Sequence, residues 1–210
     1  MPTPEQILSG LRAIANNWRV LAIIWHVYFA ALALGLGLGG RPSKRVAGIL
    51  LGLPLLSVSV LAWASANPFN GALFVLSGTG LIVISSRLPK VSVRIAPLWA
   101  VIPGVFMFIF GWTYPHFLDT SSLWPYLYSA PTGLIPCPTL SIIIGLALVL
   151  DSFGSRAWAV VLGALGIFYG LFGAARLGVA LDWVLLLGAL IVVFTLFAGP
   201  RRGQENAIKR

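Results

Sequence analysis

Seven blocks dominated by apolar residues run along the chain, near 20–40, 46–66, 70–86, 97–117, 134–150, 157–176 and 179–199, and most charged residues fall between them. A span needs about 20 apolar residues; the third and fifth blocks are short by that measure. None alternates with the period of two that a barrel strand requires, and an open strand cannot satisfy its backbone in lipid. Each block therefore predicts a transmembrane helix. Ahead of them, Ile7, Leu8, Leu11, Ile14 and Ala15 share one helical face over residues 3–18. Thr3 suits the N-cap, Pro4 the first helical position and Gln6 the capping-box position. This segment predicts a short amphipathic helix, lying in the membrane interface or packed on the bundle. The expected fold is all-α: a polytopic transmembrane bundle of about seven helices behind a short interfacial helix within 1–19. The whole chain, 1–210, reads as a single integral membrane domain with a basic tail at 200–210.

Composition agrees with the pattern. Hydrophobic residues make up 59% and charged residues 9% of the chain, against roughly 25% charged in an ordinary soluble domain. That excludes a soluble enzyme and a disordered chain. A net charge of +9 would suggest nucleic acid in a soluble protein, but here the cations sit in short runs between apolar blocks, where topology explains them. No nucleic-acid partner is expected. One end of a seven-span bundle would hold Arg12, Arg19 and Arg176. The other would hold Arg41, Lys44, Arg45, Arg87, Lys90, Arg94, Arg156, Arg201, Arg202, Lys209 and Arg210. This bias predicts an outside N-terminus and a cytoplasmic C-terminus. The start of the chain lacks a basic n-region followed by a short apolar core, so the first span is expected to be retained and to act as the insertion signal.

Small residues recur at helix-packing spacing: Gly48 and Gly52; Gly166, Gly170 and Ala174; and Gly35, Gly37, Gly39 and Gly40 at the end of the first span. They let helices approach closely, chiefly inside the bundle, with a homo-oligomer face as the alternative. Residues 116–133 form the one substantial outer loop, rich in aromatic residues including Trp124, Tyr126 and Tyr128, and are expected to lie on the membrane surface or fold over the bundle as a lid.

The segment with the most distinctive chemistry is Pro136-Cys137-Pro138-Thr139. Proline removes backbone donors and biases the preceding residue away from helix, so the chain is expected to enter the membrane extended and turn helical at Pro138. Irregular backbone at that depth must line a cavity or be buried as a plug. Cys137 is either a reactive thiol at a helix start or a buried small hydrophobe. His26 lies inside the first span, as a proton carrier, a ligand or a bonded core imidazole. Tyr114, His116 and Asp119 close the fourth span, as a cation access site or as helix-end polar groups. Asp151, Arg156, Arg176 and Asp182 read as ordinary charges at span ends. There is no Walker sequence, His-Glu-x-x-His, Gly-x-Ser-x-Gly or paired intramembrane carboxylate. No catalytic residue, metal set or cofactor is assigned, and an enzyme is the less favoured class.

The run from Gly133 through Pro136-Cys137-Pro138-Thr139, entering an apolar helix with Gly145, resembles the central signature of a family of bacterial polytopic integral membrane proteins of unknown function. Asn67-Pro68 followed by Gly71-Ala72-Leu73-Phe74 is similar to a second block of that family, and Tyr114-Pro115 fits its layout. Here Leu140-Ser141 follows the signature where the family tends to have a further Thr, and Trp18 is followed by Arg19 rather than Pro. The resemblance implies a multi-span protein of the bacterial inner membrane and supplies no substrate. Three functions follow as expectations. The first is binding or transport of a small solute or ion at Pro136, Cys137, Pro138 and Thr139, with His26, Tyr114, His116 and Asp119 around it. The second is an accessory subunit whose partners are other membrane subunits or further copies of the chain. The third is a haem or redox protein using His26 and His116.

Overall fold

The computed structural model describes residues 3–198; the basic tail expected at 200–210 lies outside them. Among the described residues there is no strand, only an isolated antiparallel bridge between Ser43 and Ser92. The helices are α1 (Pro4–Asn17), α2 (Arg19–Gly37), α3 (Lys44–Ala64), α4 (Pro68–Ser86), α5 (Leu98–Thr113), the single turn α6 (Tyr126–Ser129), α7 (Pro136–Val149), α8 (Arg156–Leu171) and α9 (Asp182–Ala198). The protein is a helical bundle of the membrane class. Four of its helices, α2, α3, α4 and α8 with its extension to Arg176, are long and apolar enough to cross a bilayer, and α5, α7 and α9 are shorter apolar helices.

α1 forms as its sequence predicts. Thr3 accepts from the Gln6 amide, and the Gln6 side chain accepts from the Thr3 amide at 2.9 Å, a complete capping box. Its apolar face is covered: Ile14 and Ala15 are buried in a cluster with Leu61, Tyr114, Phe117 and Leu118, so α1 packs on the bundle as a clasp. Asn16 at its end donates to the Phe117 carbonyl at 2.9 Å and accepts from the Asp119 amide at 2.9 Å, pinning the outer loop.

The bundle is built from pairs, α3 on α4, α5 on α7 and α8 on α9, with α7 at the centre touching α3, α8 and α9 as well. Ile142, Ile143 and Ile144 are all fully buried, which only a helix surrounded on every face achieves. α7 and α5 approach closely because both lack side chains where they cross. A Cβ on Gly104 would lie 2.8 Å from the Gly145 carbonyl oxygen, and one on Gly111 would lie 2.7 Å from the Pro138 oxygen. Gly48 and Gly52 meet α4, and Gly166 and Gly170 meet α9, so those stripes serve internal packing. The first-span glycines behave differently, since a Cβ on Gly35, Gly37 or Gly39 would meet nothing within 4 Å.

With 14 residues, α7 is about 21 Å long at 1.5 Å per residue, short of the roughly 30 Å hydrocarbon core. The missing length comes from the compact segment 130–135, every residue of which is buried. At the opposite end α7 stops in a tight reversal: Asp151, Ser152, Phe153 and Gly154 all have positive φ, 52°, 43°, 59° and 63°. The Phe153 ring packs edge-on against Trp158 at 4.9 Å, and Trp158 donates to Ser85 at 2.7 Å. That anchor holds the left-handed turn, a backbone state that costs roughly 1–2 kcal/mol per non-glycine residue.

Candidate functional site

α7 begins at Pro136, two residues before the start expected from the sequence. Ile135 is its extended N-cap (φ −128°, ψ 159°) and Pro136 occupies the first helical position. Both prolines thus fall in the first turn, where amides lack helical partners in any case, and the pre-proline bias on Cys137 is overridden. The segment in front is tied down by side-chain hydrogen bonds. The Thr139 hydroxyl donates to the Ile135 carbonyl at 2.6 Å and accepts from the Gly133 amide at 2.8 Å. The Thr132 hydroxyl donates to the Gly111 carbonyl at 2.8 Å. Gly133 takes φ +76° against the Trp25 indole, a position where a side chain would strike the ring. The segment is a plug. The cavity touching Pro136, between α1, α3 and α4, measures about 10 Å³, room for a single water and too small for an organic solute.

Beneath the plug three side chains converge. Asp182, the first residue of α9, is 1% exposed. The Tyr114 hydroxyl, at the end of α5, donates to Asp182 Oδ1 at 2.7 Å, and Cys137 Sγ on α7 donates to Oδ2 at 3.2 Å. On the remaining side lies Gly173, inside a π-helical turn, Phe172–Arg176, that continues α8. An ideal Cβ there would collide with the carboxylate, so glycine is what lets α8 close over the site. Such π turns recur at functional sites. Among the described residues no cation lies within 4.0 Å of Asp182, and the ion pair formed is the exposed Arg12–Asp119 contact at 3.8 Å. A carboxylate taken out of water is costly unless bonded, paired or protonated. Here two neutral donors and a proton are the available remedies. A little further along the same end, the Tyr169 hydroxyl donates to Asn70 Oδ1 at 2.8 Å.

The remaining expected residues scatter. Pro136, Pro138 and Thr139 shape the plug and present no group to a ligand. His26 is buried, with Nδ1 2.8 Å from the Ala22 carbonyl and Nε2 3.0 Å from the Trp112 carbonyl. Both ring nitrogens therefore face backbone carbonyl oxygens of the bundle. Neither nitrogen is offered to a haem iron. His116 is half-buried in the outer loop, its ring edge-on to Phe117 at 4.2 Å; burial and then the Arg12 charge hold its pKa below the usual value. Asp119 is exposed and belongs to the α1 clasp. The 116–133 loop carries the turn α6, in which Tyr126 is buried, whereas Trp124 and Tyr128 are exposed in the manner of an interfacial belt.

Asp182 was the residue that sequence reasoning passed over as an end-of-span charge. The apolar block starting at 179 already placed it inside a span, where an ionisable group is a functional candidate by default. No protein-family model, curated protein sequence or solved structure matches this chain.

Proposed function

We propose that this is an ion-handling protein of the bacterial cytoplasmic membrane whose Asp182, Cys137 and Tyr114 bind and release a proton at the outward-facing end of the bundle. The supporting observation is a buried carboxylate held by a phenol and a thiol, with no cation paired to it among the described residues. Both carboxylate oxygens already accept a side-chain hydrogen bond, which favours a proton over the wider class of small solutes. The Lys and Arg bias between the two ends supports the orientation, N-terminus outside. The Pro136-Cys137-Pro138-Thr139 likeness supports membership of the bacterial membrane family of that signature.

Infrared difference spectroscopy of the full chain in lipid, recorded across a pH titration, tests this reading. A carboxyl band that appears on acidification should vanish in Asp182→Asn and shift in Tyr114→Phe, with a matching S–H band lost in Cys137→Ala. Difference spectra identical in the parent protein and Asp182→Asn would defeat the proposal.

A second reading, an accessory subunit, is favoured by α2, of whose apolar window only 17% is buried. Purification in mild detergent separates the two readings: stoichiometric companion subunits support the second, and a lone chain opposes it.

A further inference from the structure

The end of the bundle opposite Asp182 carries a second site. There α2 stands off from α3 and α7 and leaves a crevice of about 380 Å³. Its walls are apolar, formed by Leu32 and Leu36 of α2, Leu50 and Leu51 of α3, Leu146 of α7 and Leu150 at its C-cap. Ala31 and Gly35 line its open edge and are exposed. Arg41 and Pro42 close it at the level of the α2–α3 loop. We propose that this crevice binds one acyl chain of an anionic glycerophospholipid, with the headgroup phosphate against Arg41.

Size selects the occupant. The crevice is lined by α2 from Ala31 to Leu36, about 7.5 Å of helix, before the chain turns at Gly39 to bring Arg41 to its end, a slot that suits a slender hydrocarbon chain. A helix about 10 Å across over the same length would need on the order of 600 Å³, well above the 380 Å³ present. Charge selects the headgroup. Arg41 Nη1 donates to the Leu36 carbonyl at 3.0 Å and the Gly40 carbonyl at 2.8 Å, which fixes the guanidinium at the crevice end. The Lys44 amide bonds to the Val91 carbonyl and the Val93 amide to the Pro42 carbonyl, each at 2.9 Å, around the Ser43–Ser92 bridge. This stitching gathers Lys44, Arg45, Arg87, Lys90 and Arg94 onto the end of the bundle where Arg41 sits, and among the described residues Asp151 is the acidic residue on that end. A basic rim above an apolar slot between helices is the pattern that anionic lipids recognise.

The test is native mass spectrometry of the full chain equilibrated with equal amounts of dioleoylphosphatidylglycerol and dioleoylphosphatidylcholine, which share their acyl chains. The parent protein should retain the anionic lipid about fivefold over the zwitterionic one, the ratio expected from one basic contact. Arg41→Gln should bring the ratio to near unity while still retaining lipid. Leu50→Trp and Gly35→Leu, which fill the slot from opposite walls, should each abolish retention while circular dichroism stays helical. Gly35→Leu adds its side chain where a Cβ meets nothing within 4 Å, so it guards against a folding failure of the first variant. No retained lipid, equal retention of the two lipids by the parent protein, unchanged retention in both filled variants, or a companion protein occupying α2 in place of lipid would each overturn the proposal.

Discussion

Replacing Tyr114 by Phe removes one oxygen and leaves the ring among Phe110 and Phe117, at 5.5 and 6.3 Å. The change therefore isolates the 2.7 Å bond to Asp182 Oδ1. Its strength depends on what Asp182 is. A hydrogen bond to a charged acceptor is worth about 1.5–3 kcal/mol, whereas neutral side-chain bonds inside membrane bundles average about 0.6 kcal/mol and reach about 1.7. Losing the donor also leaves a buried acceptor short of a partner, at about 1–3 kcal/mol. The single variant should thus lose about 2–4 kcal/mol if the carboxylate is ionised and about 1 kcal/mol if it is protonated. A double-mutant cycle of Tyr114→Phe with Asp182→Asn, read by reversible unfolding in mixed micelles, removes the packing contribution common to both backgrounds. Coupling above about 1.5 kcal/mol at neutral pH that shrinks toward about 0.6 on acidification is the expected result. Coupling within the roughly 0.3–0.5 kcal/mol scatter of independent sites at every pH would refute the idea that the phenol and the carboxylate act together.

Other outcomes follow from the same geometry. Gly173→Ala drives a methyl group into the Asp182 carboxylate; it should free the Cys137 thiol and accelerate its alkylation by a small maleimide, while Gly80→Ala, which meets nothing within 4 Å, should not. Equal rates in the two variants would remove Gly173 from the site. Ser85→Ala strips the acceptor from the buried Trp158 N–H and should destabilise the bundle by about 1–3 kcal/mol, read from its unfolding midpoint; a loss under about 0.5 kcal/mol would contradict that bond. His116 has a folded pKa below its usual 6.5, so its undocked form takes up protons more readily. Its contribution is present above that ordinary value and is lost as pH falls toward the folded value. Exchange of the Asp119 amide, bonded to Asn16, should therefore quicken between about pH 7.5 and about pH 5, after correction for intrinsic rates. His116→Asn should abolish the trend, and a persisting trend would assign it elsewhere.

The bundle was legible in the chain because its main signals are local. Apolar blocks, the Thr3–Gln6 capping box and the glycine spacings all act within one or two turns, and each reappears in the helix it announces. The α7 start lies two residues ahead of the sequence expectation because both prolines fit one first helical turn, where neither missing amide costs a bond. The site was half legible. Cys137 and Tyr114 stood out by type, but their meeting depends on Asp182, 45 and 68 residues away in sequence. No periodicity encodes which helix ends will touch. His26 was singled out for its depth, yet depth does not reveal that two carbonyl oxygens already flank its ring.

The left-handed turn at Asp151–Gly154 reaches beyond local geometry. A reversal of four residues gives α7 and α8 no slack, so the two helices cannot enter a bilayer independently; they must go in together as a hairpin, the central helix carried by its neighbour. A short peptide inserted after Ser152 should therefore uncouple the pair and impair membrane integration of the shorter α7, while α8 still inserts. The same peptide inserted at the exposed Ser122–Leu123 site of the outer loop should be accommodated.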